Sequence, residues 1–186
     1  MQDWHETLPE LLDAAWDEIS DFATARSGVP GLVTLATADA TGQPECRTVV
    51  LRGADRRRAT IETYSDSETP KVRDITANPK VSVLIWQPAF RIQIRLNGTS
   101  EIIAGTELDQ EWKKLPPHSK KNYGMTPPPG TEIAEASKYE RRPSIMRFSK
   151  LLITVNEIDV VHMQRGSDIR AQFSQSDDWA GKWLAP

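Results

Sequence analysis

Residues 47–52 read Arg47-Thr48-Val49-Val50-Leu51-Arg52, a β-branched and apolar run with an arginine on each side. This composition favours a β-strand. Side chains alternate between the two faces of a strand, so the two guanidinium groups point in opposite directions and serve different ligands or different parts of one ligand. Arginine supplies the planar, bidentate donors that a phosphate prefers. The run therefore predicts an anion-binding strand, with ordinary strand-end charges in solvent as the alternative.

Donors that could complete a phosphate site follow in the next segments of the chain. The candidates beside Arg47 are Ser65, Ser67, Thr69 and Lys71. Hydroxyl groups and a lysine point charge support a bidentate arginine at a doubly charged phosphate. We expect these side chains to lie close together.

Gln93 stands between apolar neighbours on a later strand-like segment. A buried amide costs free energy unless both its donor and its acceptor are matched. The edge of a flavin ring has adjacent donors and acceptors and would satisfy such an amide. An exposed glutamine on the outer face beside Arg95 fits the same pattern. Trp112, Tyr123 and Trp179 could stack on a planar ring or belong to the core.

Hydrophobic periodicity divides the chain into an opening helix and a series of short strands. Apolar residues recur at helical steps from Leu8 to Ala23, with Thr7 as a possible cap, and this helix should end near the Gly-Val-Pro-Gly segment at 28–31. The period then changes to two. We expect strands at 32–38, 46–53, 59–64, 80–87, from Arg91 onward, 145–161 and 170–173, and short helices at 69–78 and 106–114.

Many short strands with few helices favour a closed or partly closed antiparallel barrel over a parallel α/β sheet. The length of 186 residues suits a single domain over residues 1–186, with 1–28 as the N-terminal helix. Residues 115–131 contain five prolines and are predicted to be an extended loop.

Composition and charge exclude several classes of function. The net charge is −3, with 23 basic and 26 acidic residues, so no global positive field is available for nucleic acid or acidic lipid. A single cysteine, Cys46, and an acidic start without an apolar secretion core favour a cytoplasmic protein without a membrane partner. The scattered histidines show no metal-ligand spacing, so no metal is predicted. There is no GxGxxG or GxSxG motif, and no catalytic side chain is assigned.

Six ordered motifs resemble the pyridoxamine 5′-phosphate oxidase family of FMN-binding split barrels. They are Arg47-Thr48-Val49-Val50-Leu51-Arg52 for R-x-V-L-[LV]-K/R, Tyr64-Ser65 for Y-[TS], Lys71 at the start of a helix, Asn78-Pro79-Lys80-Val81 for N-P-[RK]-V, Gln93-Ile94-Arg95-Leu96-Asn97-Gly98 for Q-V-x-x-x-G, and Trp183-Leu184-Ala185-Pro186 for the terminal L-x-P. The resemblance covers most of the chain after the first helix.

The resemblance implies a mainly β fold with flanking helices, an antiparallel split β-barrel of the Greek-key type. It implies a homodimer with one FMN at each of two sites between the subunits. Arg47 and Lys71 would bind the phosphate, main chain near Val49 and Val50 would follow the ring, and Gln93 would come from the partner subunit. The implied cofactor-binding residues are Arg47, Thr48, Val49, Val50, Leu51, Tyr64, Ser65, Lys71, Gln93 and Arg170, and the substrate-binding residues are Arg52 and Trp112.

The departures from the family pattern fall mainly where it recognises its substrate. The pattern R-x-H-D-R appears as Arg165-Gly166-Ser167-Asp168-Ile169-Arg170, without the histidine. Pro70 replaces the arginine beside Lys71, and a later Gln-Ser pair has no match within 127–131. We expect an oxidase-related, FMN-dependent oxidoreductase that acts on a small molecule over the flavin near Arg52, not a true pyridoxamine 5′-phosphate oxidase. A non-catalytic flavin-binding or storage protein and a cofactor-free dimeric interaction module stay open as alternatives.

Overall fold

The computed structural model describes residues 7–25, 28–163 and 168–186. Strands dominate these ranges: β1 (Leu32–Ala38), β2 (Pro44–Asp55), β3 (Thr60–Asp66), β4 (Lys80–Gln87), β5 (Ile92–Ala104), β6 (Met125–Thr126), β7 (Glu140–Arg141), β8 (Phe148–His162), β9 (Ile169–Ser174) and β10 (Lys182–Leu184). The α-helices are α1 (Leu8–Thr24), α2 (Pro70–Ala77), α3 (Asp109–Lys114) and α4 (Pro117–Lys120). No helix within the described ranges is long and apolar enough to span a bilayer.

Six strands close into an antiparallel barrel. The order is β8-β3-β2-β1-β4-β5, and β5 pairs with β8 to complete the circle, while β9 and β10 extend the sheet from β8. The first three strands form a meander, after which α2 carries the chain across so that β4 pairs with the free side of β1. This arrangement is a Greek key. The predicted mainly β, antiparallel barrel is confirmed.

The barrel interior is filled by alternate side chains of its strands. On β5 the side chains of Ile92, Ile94 and Leu96 are fully buried, and Gln93 and Arg95 lie on the outer face, as the two-residue period predicts. The helix α1 packs on β2 and contributes buried residues to this core. They are Leu11, Leu12, Ala15, Trp16 and Ile19. A second, smaller cluster consists of Leu108, Leu115, Tyr123 and Phe148.

Several predicted boundaries are confirmed and others are wrong. Strands 32–38 and 80–87 have the predicted bounds. The opening helix ends at Thr24, before the segment at 28–31, because Ala25 turns into the left-handed region at φ 50° and its N–H caps the carbonyls of Asp21 and Phe22. The predicted helix 1–28 is therefore shorter, and residues 1–6 and 26–27 lie outside the described ranges.

The strand around residues 47–52 is longer than predicted. It runs from Pro44 to Asp55 because β1 pairs with its first part and β3 with its last part. Arg47 and Arg52 consequently lie inside the strand and not at its ends. Elsewhere, residues 105–108 and 145–147 form 3-10 turns where α-helix and strand were predicted, and the proline-rich loop contains α4 and β6.

Candidate functional site

Arg47 points toward the end of the barrel where β3 finishes and β4 begins. Its Nη1 donates to Thr37 Oγ1 at 2.8 Å and to the Leu35 carbonyl at 3.3 Å, and its Nη2 lies 3.6 Å from Asp74 Oδ2. The Thr37 hydroxyl donates to the same Asp74 oxygen at 2.8 Å. Thr37 and Asp74 are buried, so they hold the guanidinium group in one orientation.

The turn between β3 and α2 brings hydroxyl groups and a second cation together. Lys71 Nζ donates to Ser65 Oγ at 3.2 Å, and Ser65 Oγ lies 2.9 Å from Thr69 Oγ1. Both hydroxyls also donate to the Asp66 carbonyl, at 3.1 and 2.9 Å. Ser67, the remaining candidate, donates its backbone N–H to the Arg147 carbonyl at 2.8 Å. The predicted proximity of Ser65, Thr69 and Lys71 is thus found.

Two cations, Arg47 and Lys71, interact with each other in this cluster. Burial lowers the pKa of Lys71, and the nearby charge of Arg47 lowers it further, while Asp66 and Asp74 only partly oppose this. The charges of Arg47 and Lys71 therefore lie near enough to repel each other. A bound dianion would stabilise both cations. We call Arg47, Ser65, Thr69 and Lys71 the cationic cluster.

One edge of β2 next to this cluster has no strand paired with it. β1 pairs with β2 from Pro44 to Val50, whereas β3 pairs only from Leu51 onward among the described residues. The Leu51 N–H donates to the Gly31 carbonyl on the β1 side, and the Val50 carbonyl accepts from Thr63 Oγ1 on the β3 side. Backbone direction alternates along a strand, so the N–H groups of Thr48 and Val50 face the unpaired edge. The side chains of Val49 and Leu51 pack into the core.

Arg52 lies on the opposite face of β2, as predicted, beside a group of aromatic rings. Its guanidinium carbon is 5.9 Å from the centre of the Tyr64 ring, a cation–π distance. Tyr64 and Tyr123 both pack edge-on against Phe148, with ring centres 4.9 and 4.8 Å apart from it. Trp112 packs on the same phenylalanine at 5.5 Å. We call Tyr64, Trp112, Tyr123 and Phe148 the aromatic cluster. Of the two predicted substrate residues, Trp112 belongs to this cluster and Arg52 lies beside it.

The titration of the two tyrosines reflects this environment. Burial, followed by the charges of Glu62 and Glu111, raises the pKa of Tyr64 to about 12. Burial also raises the pKa of Tyr123, against the opposing charge of Arg52. Both phenols therefore keep their protons at neutral pH and can donate hydrogen bonds.

Gln93 and Arg170 belong to a different part of the molecule, the outer face of β5, β8 and β9. Gln93 faces Val161 across β5 and β8, and Val161 faces Arg170 across β8 and β9. Arg170 Nη2 and Arg95 Nη2 both donate to Asp159 Oδ2, at 2.8 and 2.9 Å. The Asp159 side chain is only 2% exposed. We call Gln93, Arg95, Asp159 and Arg170 the outer-face cluster; Gln93 is half-buried there, so the fully buried amide is not observed.

The two clusters lie on opposite sides of the barrel. β2 and β5 are separated by β1 and β4 in one direction and by β3 and β8 in the other. One chain therefore brings together Arg47, Ser65, Thr69 and Lys71, but it does not bring Gln93 or Arg170 to them. Residues 164–167, which include most of the substrate-motif segment before Arg170, lie outside the described ranges.

Sequence reasoning missed the buried residues that orient these candidates. Thr37 follows Val33 and Leu35 on the inward face of β1, and Asp74 lies between the buried Val72 and Ile75 on α2. A polar residue at a core-facing position is a readable signal, because burial demands a partner. Asp159 gives no such signal, since its register position on the outer face is ordinary for a carboxylate.

Comparison with solved structures defines the class of this fold. The chain aligns over its full length with a pyridoxamine 5′-phosphate oxidase-related, FMN-binding protein from Nostoc punctiforme, with 21% identity, 99% of that chain covered and a TM-score of 0.74. It aligns over 96% of its length with 92% of PhzG from Burkholderia lata, solved with tetrahydrophenazine-1-carboxylic acid, with 20% identity and a TM-score of 0.71. The protein thus has the FMN-binding split-barrel fold.

Sequence comparison defines the family within that class. The profile of the pyridoxamine 5′-phosphate oxidase family matches residues 17–156. A pyridoxine/pyridoxamine 5′-phosphate oxidase of Cupriavidus necator is 31% identical in an alignment that covers 70% of this chain and 66% of the relative. The chain belongs to the pyridoxamine 5′-phosphate oxidase family. It spans about half the length of other curated relatives, such as the oxidase of Pseudomonas paraeruginosa, which is 33% identical over 60% of this chain and 51% of its own.

Proposed function

We propose that this protein is an FMN-dependent oxidoreductase that works as a cytoplasmic homodimer on a small molecule bound near Arg52. The observation that carries the proposal is the convergence of Arg47 and Lys71 beside the hydroxyls of Ser65 and Thr69, with the pKa of Lys71 lowered by burial and by Arg47. Two cations and two hydroxyls form a donor set that suits a phosphate monoester. The family's FMN phosphate fits this set.

The backbone and the aromatic cluster fit the remainder of such a cofactor. The N–H groups of Thr48 and Val50 face the unpaired edge of β2 and can donate to the polar edge of a flavin ring. When bound, FMN supplies the capacity to accept a hydride from an organic substrate, so no protein nucleophile is required. Arg52 can hold an anionic or polar substrate group, and Tyr64 beside it excludes water and keeps a phenol proton available. Trp112 adds an apolar wall.

A second copy of the chain is proposed to supply Gln93 and Arg170. These residues lie on the side of the barrel opposite Arg47, so they cannot reach the same ligand from within one chain. Exposed apolar side chains lie on the strands between the two clusters: Trp86, which faces Gln93, is 45% exposed, and Leu32, which faces Val50 on β2, is 56% exposed. Exposed large apolar side chains of this kind are typical of protein interfaces. A dimer that covers them would bring the two clusters together.

The substrate is expected to differ from pyridoxamine 5′-phosphate. The family's R-x-H-D-R pattern lacks its histidine here, whereas the phosphate donors Arg47 and Lys71 are present. A cofactor site that is kept beside an altered substrate motif indicates a changed substrate.

The visible absorption spectrum of the purified protein tests the proposal, measured before and after heat releases any bound chromophore. A flavin spectrum at about one FMN per subunit supports it. A colourless protein that also fails to take up added FMN overturns it and favours an interaction module. If flavin is bound, turnover with reduced nicotinamide and oxygen is measured next, because a flavin that never cycles would indicate storage and not catalysis.

A further inference from the structure

Asp66, the last residue of β3, has a buried carboxylate with four hydrogen bonds. Oδ1 accepts from Arg147 Nε at 3.0 Å, from Arg147 Nη2 at 2.8 Å and from the Glu68 N–H at 2.9 Å. Oδ2 accepts from the Gly124 N–H at 2.7 Å. The side chain is only 2% exposed. A buried carboxylate with this many donors is rigidly oriented.

The same residue holds the turn that carries the cationic cluster. The Asp66 carbonyl accepts from the hydroxyls of Ser65 and Thr69, and Lys71 follows in the first turn of α2. The orientation of both hydroxyls therefore depends on where the Asp66 peptide group lies. The carboxylate fixes that position through the start of β8, where Arg147 precedes Phe148.

Asp66 also anchors the segment beside the aromatic cluster. Gly124 has φ +116°, and a Cβ at this position would lie 1.9 Å from the Arg142 carbonyl oxygen, so only glycine fits. Its neighbour Tyr123 packs on Phe148. One carboxylate thus connects the cationic cluster to the aromatic cluster through the backbone on either side.

The charge of Asp66 has the wrong sign to attract a phosphate directly. It acts on Lys71 by raising its pKa, and Arg147 neutralises it at close range. Removal of a negative charge near an anion site would by Coulomb's law strengthen anion binding. Removal of an anchor that orients the donors would weaken it. The two roles therefore predict opposite changes in phosphate affinity when the charge of Asp66 is removed.

We propose that Asp66 is a positioning residue for the phosphate half of the site, acting through the β3–α2 turn and not by contact with the ligand. The proposal rests on the proposed function in that FMN is the phosphate ligand. Asp66 adds no donor of its own; its carbonyl accepts from the hydroxyls of Ser65 and Thr69 and so fixes where their oxygens lie beside Lys71.

The test compares Asp66→Asn with the unmodified protein in titrations of FMN and of riboflavin, which lacks the phosphate, followed by flavin fluorescence. We expect the FMN affinity to fall about tenfold or more, because an ionic anchor is lost, while the riboflavin affinity changes less than about twofold. The matched control is Glu68→Gln. It removes a half-exposed carboxylate 3.1 Å from the same Arg147, and we expect FMN affinity to stay equal or rise slightly.

Unchanged or tighter FMN binding by Asp66→Asn would overturn the proposal, and so would an equal loss for FMN and riboflavin. If this variant does not fold, Arg147→Lys replaces it, since lysine keeps the charge but loses the paired Nε and Nη2 donors; the same selective loss is expected. An unmodified protein that binds FMN no better than riboflavin would refute the proposed phosphate site itself. If the unmodified protein prefers FMN over riboflavin and the variants keep that preference, the phosphate site stands and only the role of Asp66 is refuted.

Discussion

The cationic cluster and the outer-face cluster are both built from arginine held by a buried aspartate, but they differ in completeness. Arg47 is oriented by Asp74 and is joined within the same chain by Lys71 and two hydroxyls. Arg170 is oriented by Asp159 and shares it with Arg95 on a sheet face that is open to solvent. The first cluster combines two cations with two hydroxyls; the second presents arginine side chains on an outer face of the sheet. Under the proposed dimer, the two clusters would be the halves of one site, each supplied by a different chain.

The largest expected effect comes from the cationic cluster. Arg47→Ala should weaken FMN binding by about 1.5–3 kcal/mol, or roughly 10- to 150-fold in Kd, because a charge-assisted contact to the phosphate is lost. Riboflavin binding should change much less. Flavin fluorescence titration measures both, and Arg56→Ala, at a surface arginine paired with Asp13, is the control. An equal loss for both flavins would mean that Arg47 does not serve the phosphate.

A change in the outer-face cluster should weaken flavin binding less, and it should affect FMN and riboflavin alike. Gln93→Ala should weaken FMN and riboflavin equally, by about 0.5–1.5 kcal/mol, because a neutral hydrogen bond to the ring is lost. Sedimentation of the flavin-bound protein should show a dimer at the concentrations used. A loss of affinity for FMN alone would mean that Gln93 serves the phosphate and not the ring. The two clusters would then not differ in the part of FMN that they bind.

The pH dependence of flavin binding should reveal the contribution of Lys71 in the cationic cluster, because the outer-face cluster contains no lysine. In the free protein, burial and Arg47 lower the pKa of Lys71 below the ordinary 10.5. Between the lowered pKa and 10.5, the folded state therefore holds fewer protons than the unfolded state. Free-protein stability therefore gains with rising pH in that window, whereas phosphate binding requires the charged lysine and weakens. We expect FMN affinity to fall as pH rises through the lowered pKa while riboflavin affinity does not. Lys71→Met should remove the difference in slope.

The smallest expected effect on the cofactor concerns Arg52. Arg52→Ala should change FMN affinity by less than about twofold, because its guanidinium lies over Tyr64 on the face of β2 opposite Arg47. Substrate turnover or inhibition by small carboxylates should change instead. FMN loss as large as that of Arg47→Ala would contradict the division of β2 into two faces.

Much of the fold could be predicted because it depends on local patterns. The strict alternation in β4 and β5 and the turn residues around them gave correct strands, and the β-branched run at 47–52 gave β2. The end of α1 and the length of β2 were wrong because backbone capping at Ala25 and pairing with two neighbouring strands set them. Neither a backbone cap nor a strand pairing leaves a periodic pattern in the sequence.

The candidate site was predictable for its donors and not for the residues that orient them. Arg47, Ser65 and Lys71 belong to residue types that bind phosphate, so they could be chosen from the sequence. Asp66, Asp74 and Asp159 are buried carboxylates whose partners include side chains of other elements, such as Arg147 for Asp66, and no local motif names those partners. The separation of Gln93 from Arg47 depends on the closed order of six strands, which no single motif encodes.

The placement of Arg47 and Gln93 on opposite sides of the barrel has a genetic consequence under the proposed dimer. A subunit with Arg47→Ala and a subunit with Gln93→Ala are each defective when paired with themselves. When they pair with each other, one site collects both lesions and the other keeps both native side chains. Random mixing would leave about a quarter of all sites intact. Alleles altered at Arg47 and at Gln93 should therefore partly complement one another, although two alleles altered at Arg47 and Lys71 should not.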